Sequence, residues 1–248
     1  MKMKICVSIP VKFTNLSDGK LVIEKVLNFN PNLIELRFDY IPNLDIISSN
    51  FLRELLTYIP PHFNVIFTFR DSSEGGQIEI EPQEHFKIMK AFVDTKPDYI
   101  DIEMNTKEDL LKKIIDLASQ NGIKLIFSHH NLEKTLMYDE VVSLIKDFQK
   151  RIFKSLPLNS KIIKNSIFKI VFKAHSFEDN LIALKICETY DNLNQKIISF
   201  CSGVQGIFSR IMCVFSGSFM TYASLEEETA PGQLNIHKMR EIYKIISN

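Results

Sequence analysis

Glycine is scarce in this chain, 8 residues of 248, or about 3% against a usual 7%. Six of the eight, Gly75, Gly76, Gly203, Gly206, Gly217 and Gly232, fall in or near loops that follow strand-like runs. The four cysteines, Cys6, Cys187, Cys201 and Cys213, form no C-x-x-C pair, which argues against a zinc or redox site and for free, buried thiols. No apolar run approaches the roughly 20 residues of a membrane-spanning helix. The 30 basic and 30 acidic side chains leave no net charge, so the basic surplus needed for non-specific nucleic-acid or membrane-surface binding is missing. The opening MKMKICVSIPVKF has too short an apolar stretch for a signal peptide and holds Pro10 within it. A soluble, cytoplasmic protein is expected.

What is present reads as an ordinary globular chain, 45% apolar and 24% charged. Eight short runs are dominated by β-branched and aromatic residues. They are KICVSIP from Lys4, LIELRFD from Leu33, NVIFTFR from Asn64, YIDIEM from Tyr99, KLIFSHH from Lys124, IFKIVFK from Ile167, KIISFCS from Lys196 and SFMTYAS from Ser218. Nearly unbroken apolarity, without in/out alternation, is the mark of strands buried on both faces of a parallel sheet. Between them, residues 45–58, 106–120 and 177–190 repeat apolar positions at three and four, the period of a helix. Residues 83–95, 137–153, 206–215 and 235–247 read the same way, and 19–29 more weakly. Gly122 sits where a helix C-terminus favours positive φ. Eight strand–helix units in 248 residues are the arithmetic of a single α/β domain over 1–248, a (β/α)8 TIM barrel. An open doubly wound sheet is the rival, but no G-x-G-x-x-G follows the first strand. Residues 150–166 form an overlong connection, read as a surface excursion.

The charges inside these strands carry the functional signal. Glu35, Arg37 and Asp39 are spaced by two and share one face of the second strand, as do Asp101 and Glu103 on the fourth and Ser128 and His130 on the fifth. Arg70 ends the third strand, and Lys169 lies in the sixth among Ile167, Phe168, Ile170 and Val171. Buried charges are costly unless they pair or line a polar cavity. Five strands each contributing some near their C-terminal ends is how barrel enzymes build active sites. A structural ion triad remains the alternative for Glu35, Arg37 and Asp39. Adjacent strand residues point to opposite faces, so His129 and His130 cannot chelate one metal, and the interleaved arginines disfavour a bound cation. No metal and no cofactor are expected.

The ordered set ELRFD (35–39), TFR with EGG (68–70 and 74–76), DIE (101–103), SHHN (128–131), KIV (169–171), GVQGIFSR (203–210) and APGQ (230–233) resembles type I 3-dehydroquinate dehydratase over almost the whole chain. That family dehydrates 3-dehydroquinate to 3-dehydroshikimate through a lysine imine, on the route to aromatic amino-acid precursors. The resemblance implies a lyase that takes this small molecule as substrate, and it allows a homodimer. A proton beside a ketone is weakly acidic, and a protonated imine supplies the electron sink that a lysine amine makes possible. By similarity Lys169 is that nucleophile, in an apolar strand with arginines facing the same cavity to favour the neutral amine. His130 is then the general acid and base, and Glu74 the carboxylate that orients it. Asp101 supports that corner from behind. Arg210 is expected to clamp the substrate carboxylate, with Thr229 and Gln233 beside it. Glu35, Arg37, Arg70 and Ser8 are expected to hold the ring hydroxyls. Pro231 and Gly232 suggest a turn that closes over the ligand.

The sequence departs from the usual pattern at Ser202, where many relatives have methionine, and at Thr229, where many bacterial ones have serine. Lys173 shares the strand parity of Lys169 and stays an alternative nucleophile. A class I aldolase and a barrel kept as a binding scaffold are the rival functions. The intact set of Lys169, His130, Glu74 and Arg210 speaks against the scaffold.

Overall fold

The computed structural model describes residues 3–155 and 165–247. Strands and helices alternate from the start: β1 (Ile5–Pro10), α1 (Leu16–Leu27), β2 (Leu33–Arg37), α2 (Ser49–Thr57), β3 (Asn64–Thr68), α3 (Pro82–Thr95), β4 (Tyr99–Glu103) and α4 (Glu108–Gln120). The second half continues as β5 (Lys124–Asn131), α5 (Tyr138–Ser155), β6 (Ile167–Lys173), α6 (Glu178–Asn192), β7 (Ile197–Ser202), α7 (Ile207–Met212), β8 (Thr221–Ser224) and α8 (Ile236–Ile246). Every pairing is parallel, in the order β7-β6-β5-β4-β3-β2-β1-β8. At the seam between β7 and β8, the Phe219 N–H donates to Ile197 O at 2.7 Å, and the barrel is nearly closed. This is the expected (β/α)8 architecture. Of the 150–166 connection, residues 156–164 lie outside the described residues.

Local chemistry sets the element ends. Asn15 accepts from Asp18 N and starts α1 earlier than the weak periodicity of 19–29 indicated. The helix expected over 45–58 begins only at Ser49, because Ser48 caps it by accepting from Phe51 N; a 3₁₀ turn occupies Leu44–Ile46. The segment 206–215 is α7 followed by a 3₁₀ turn, and β8 is shorter than its apolar run, beginning at Thr221. Gly122 has φ of 71°, as the end of α4 requires. Outward-facing strand residues pack on the helices, where Phe38, Phe67 and Phe92 stack with centroids 5.0 to 5.1 Å apart. Among the described residues no helix is long and apolar enough to cross a membrane.

Register then decides which inward residues meet. Ser8 stands beside Glu35, Glu103 beside Ser128, Ser128 beside Lys169, and His130 beside Val171. The polar side chains are thereby stacked at the C-terminal ends of the strands, above an apolar barrel floor.

Candidate active site

Lys169 is central to the cavity that opens at that end. It is buried, with Nζ 3.0 Å from Asp101 Oδ2 and 3.7 Å from Glu35 Oε1. Its amine also lies 4.4 Å from the centroid of the Tyr222 ring. The sequence placed arginines around this amine; the structure puts carboxylates there, because β4 and β2 point their acids to the barrel axis at the level of Lys169. Glu35 is held in turn by Ser8 Oγ and by Thr68 Oγ1, the latter at 2.9 Å. Lys173 is exposed at the rim and does not line the cavity.

The arginines are committed elsewhere. Arg70 donates from Nη2 to Asp101 Oδ1 at 2.8 Å, and from Nη1 to Glu103 Oε1 and Ser128 Oγ at 2.6 Å each. Burial alone would lower its pKa, but the charges of Asp101 and Glu103 outweigh that and raise it. Burial alone would raise the Asp101 pKa, yet Arg70 and Lys169 bring it down to about 2. Arg37 forms a bidentate pair with Asp39, 2.8 Å at both contacts, so burial is again outweighed and its pKa rises. Arg37 Nη1 also reaches the Thr229 carbonyl at 3.5 Å. Both arginines line the cavity, but each first serves to hold an acid in place.

His130 and Glu74 form a pair, as the sequence suggested. Glu74 Oε2 accepts from the His130 backbone N–H at 3.0 Å and lies 2.9 Å from His130 Nδ1. Burial, reinforced by Glu103, pushes the Glu74 carboxyl up to about 8 against the partial relief of Arg70. Burial also drives the His130 imidazole well below its usual range, and the positive charges of Arg70 and Lys169 add to it. A neutral imidazole beside a cationic wall has a ring nitrogen able to accept a proton.

Arg210, from α7, is 1% exposed and has a different character. Its guanidinium stacks 4.4 Å from the Phe200 centroid and donates from Nη2 to Pro231 O at 3.4 Å. Its Nε has no hydrogen-bond partner, and among the described residues no carboxylate lies within ion-pair distance. Burial pushes its pKa down to about 10, which leaves it cationic at neutral pH. The Thr229–Gln233 turn covers this corner: Thr229 N and Oγ1 both donate to Gln233 Oε1, at 2.8 and 3.0 Å. Gly232 has φ of 73°, and a Cβ there would meet Gly203 O at 2.4 Å, so only glycine lets the turn lie on the β7 loop.

One cavity is therefore lined by Ser8, Glu35, Arg37, Arg70, Glu74, His130, Lys169, Arg210, Thr229 and Gln233, with Asp101 behind Lys169. Sequence reading missed Tyr222 and Phe200, which form its apolar wall; Phe200 has the parity of Ser202 on β7, which also lines the cavity, and could have been found by it. It also gave Glu103 no role, although Glu103 shares the face of Asp101 and anchors Arg70. Among the described residues no group of three or more His, Cys, Asp or Glu side chains is placed to hold a metal ion.

The profile of the type I 3-dehydroquinase family matches residues 5–248. The chain belongs to that family. The 3-dehydroquinate dehydratase of Pyrococcus abyssi (strain GE5 / Orsay) is 30% identical over 229 residues, 92% of this chain and 93% of the relative. That of Thermococcus onnurineus (strain NA1) is 29% identical over 231 residues, 93% of this chain and 95% of the relative. Among solved structures, the 3-dehydroquinate dehydratase from Aquifex aeolicus VF5 is 27% identical with a TM-score of 0.75, covering 98% of each chain. The type I enzyme from Clostridium difficile, at 24% identity, shares the fold with a TM-score of 0.84 over 99% of this chain and 92% of its own. Family membership makes the chain a hydro-lyase.

Proposed function

We propose that this hydro-lyase converts 3-dehydroquinate to 3-dehydroshikimate and water through an imine on Lys169. The observation that carries the reading is the pairing of two buried cations in one cavity. Lys169 is already matched by Asp101, whereas Arg210 has no acid of its own and is open to a carboxylate from outside. Desolvating a guanidinium without a partner is costly, and a ligand carboxylate offsets that cost with two parallel hydrogen bonds. A substrate clamped there presents its ring across the cavity toward Lys169.

His130, neutral at the start, takes the Lys169 ammonium proton; the freed amine adds to the C3 ketone, and the carbinolamine oxygen takes that proton back and leaves as water, giving a protonated imine. Asp101 and Glu35, within 4 Å of Nζ, balance that positive charge. With Nδ1–H donating to Glu74, His130 presents Nε2 to the cavity and takes the C2 proton, leaving its electrons in an enamine. The enamine then expels the C1 hydroxyl, which takes a proton from His130 and departs as water. Hydrolysis of the imine returns the ketone product and the free lysine, so atoms balance over the cycle. Glu35, Arg37, Arg70 and Ser8 hold the ring hydroxyls at the upper layer, and Thr229 and Gln233 close over the carboxylate.

The test is a direct assay with 3-dehydroquinate, following the conjugated enone of the product by ultraviolet absorbance. Turnover that persists after chelator treatment is expected, because the imine supplies the electron sink a Lewis acid would otherwise provide. Folded protein that forms no enone would refute the assignment.

A further inference from the structure

His129 and His130 are neighbours on β5 and leave the strand on opposite sides, yet both imidazoles lie within 4 Å of one carboxylate, that of Glu74. The reason is where the carboxylate sits. β4 ends at Glu103, opposite Ser128, so the His130 N–H reaches past its neighbouring strand and donates to Glu74 Oε2 instead. A carboxylate seated on that N–H straddles the strand tip, with one imidazole on each side. Oε2 is occupied by His130 twice over, through the backbone and through Nδ1. Oε1 is buried and has no hydrogen-bond partner, and His129 Nδ1 stands 3.8 Å from it. A buried carboxylate oxygen left without a donor costs free energy, and the side chain keeps freedom to rotate away from His130.

We infer that His129 is a positioning residue for Glu74: its imidazole donates from Nδ1 to Oε1 and fixes the carboxylate that orients His130. The inference rests on the imine reading above, in which His130 must hold Nε2 toward the substrate. The His129 side chain is 21% exposed, which leaves it room for the small rotation that closes 3.8 Å to hydrogen-bond length. Burial lowers the His129 pKa, so at neutral pH the ring supplies a donor without adding a charge. The other groups facing Glu74 are Arg70 at the end of β3 and Asp101 and Glu103 on β4. Arg70 Nη1 is 3.9 Å away and engaged with Glu103 and Ser128, so it does not supply the missing hydrogen bond.

The test compares the pH profiles of kcat for the wild type, His129→Asn and His129→Phe. A hydrogen bond to the ionised carboxylate favours that form, so its loss moves the acid limb to higher pH. For His129→Phe we expect kcat to fall roughly tenfold at neutral pH with KM within about twofold, and the acid limb to rise by roughly half a pH unit or more. His129→Asn, whose side-chain amide donates from a similar place, restores both. A Phe variant with the wild-type kcat and acid limb, or an Asn variant as impaired as the Phe variant, overturns the role. Where the Phe chain does not fold, His129→Leu against His129→Asn reads the same limb. Borohydride trapping of the wild type with 3-dehydroquinate separates the two layers. Absent trapping there refutes the imine reading, while intact trapping with an unmoved limb refutes only the role of His129.

Discussion

Asp101 joins Arg70 to Lys169: its Oδ1 accepts from Arg70 Nη2 at 2.8 Å and its Oδ2 from Lys169 Nζ at 3.0 Å. One carboxylate, 0% exposed, thus holds the two cations that reach the barrel axis from β3 and β6. Removing it leaves both without their shared acid inside a low-dielectric core.

Asp101→Asn is expected to lower stability at pH 7 by about 3–5 kcal/mol, the usual cost of taking one partner from a buried ionic network. The effect is pH-dependent. The folded-state pKa of Asp101 is depressed to about 2 from 3.8, so its stabilisation is present above 3.8 and is lost as pH falls toward 2. Urea unfolding of both proteins should show a difference that narrows across that window. A constant difference from pH 7 down to about 2 would mean that the ionised form does not matter.

Incubation with 3-dehydroquinate and borohydride should inactivate the protein by reducing the imine to a secondary amine, and peptide mass spectrometry should locate the adduct on Lys169. Lys169 lies in the cavity beside Val171 and Tyr222, whereas Lys173 is exposed and outside it. Lys169→Ala should lose trapping and turnover together, and Lys173→Ala should keep both. An adduct on Lys173 would contradict the assignment of the nucleophile.

The strands were legible because burial on both faces leaves an unbroken apolar run, and the inward acids and bases stood out against it. Lys169, Glu35 and Asp101 could be found that way without any tertiary information. Their partners could not. Parity says that Arg70 and Asp101 both point inward, but only the register of β3, β4 and β5 puts Arg70 on Asp101, Glu103 and Ser128 at once. Arg37 differs: its pairing with Asp39, two residues on, was within the ion-triad alternative that their shared face allowed. His129 was given no role for a further reason: the rule of opposite faces, applied to a shared metal, does not reveal that a carboxylate at the strand tip lies within 4 Å of both rings. The helix boundaries at 45–58 and 206–215 moved because serine capping and a 3₁₀ turn override apolar period.

Arg210→Lys should weaken substrate binding markedly although the charge is kept. The guanidinium is fixed by its stack on Phe200 and offers two parallel donors, which a flexible ammonium does not reproduce. A rise in Kd of roughly tenfold or more is expected for a carboxylate-bearing product analogue, read by calorimetry. An ester of the same analogue should bind wild type and variant alike. Equal affinity of both proteins for the carboxylate would remove Arg210 from its recognition.

Glu74→Gln should change the way stability depends on pH between 6.5 and 8. The folded-state pKa of Glu74 is raised to about 8 from 4.5, so below 8 the folded protein holds a proton there that the unfolded chain has released, and the ionised form that accepts from both histidines grows in along the acid limb of turnover. That contribution is fully present below 4.5 and is lost as pH rises through about 8. His130 acts in the opposite sense, since its depressed pKa makes the unfolded chain the better proton acceptor, but that effect ends near 6.5, above which the imidazole is neutral in both states. From 6.5 to 8 the wild type should therefore lose roughly 1–2 kcal/mol that Glu74→Gln does not lose. Urea midpoints measured at half-unit steps give the two slopes directly. Parallel slopes over that window would show that Glu74 is already ionised at pH 6.5, and the acid limb of turnover would then lie below that pH.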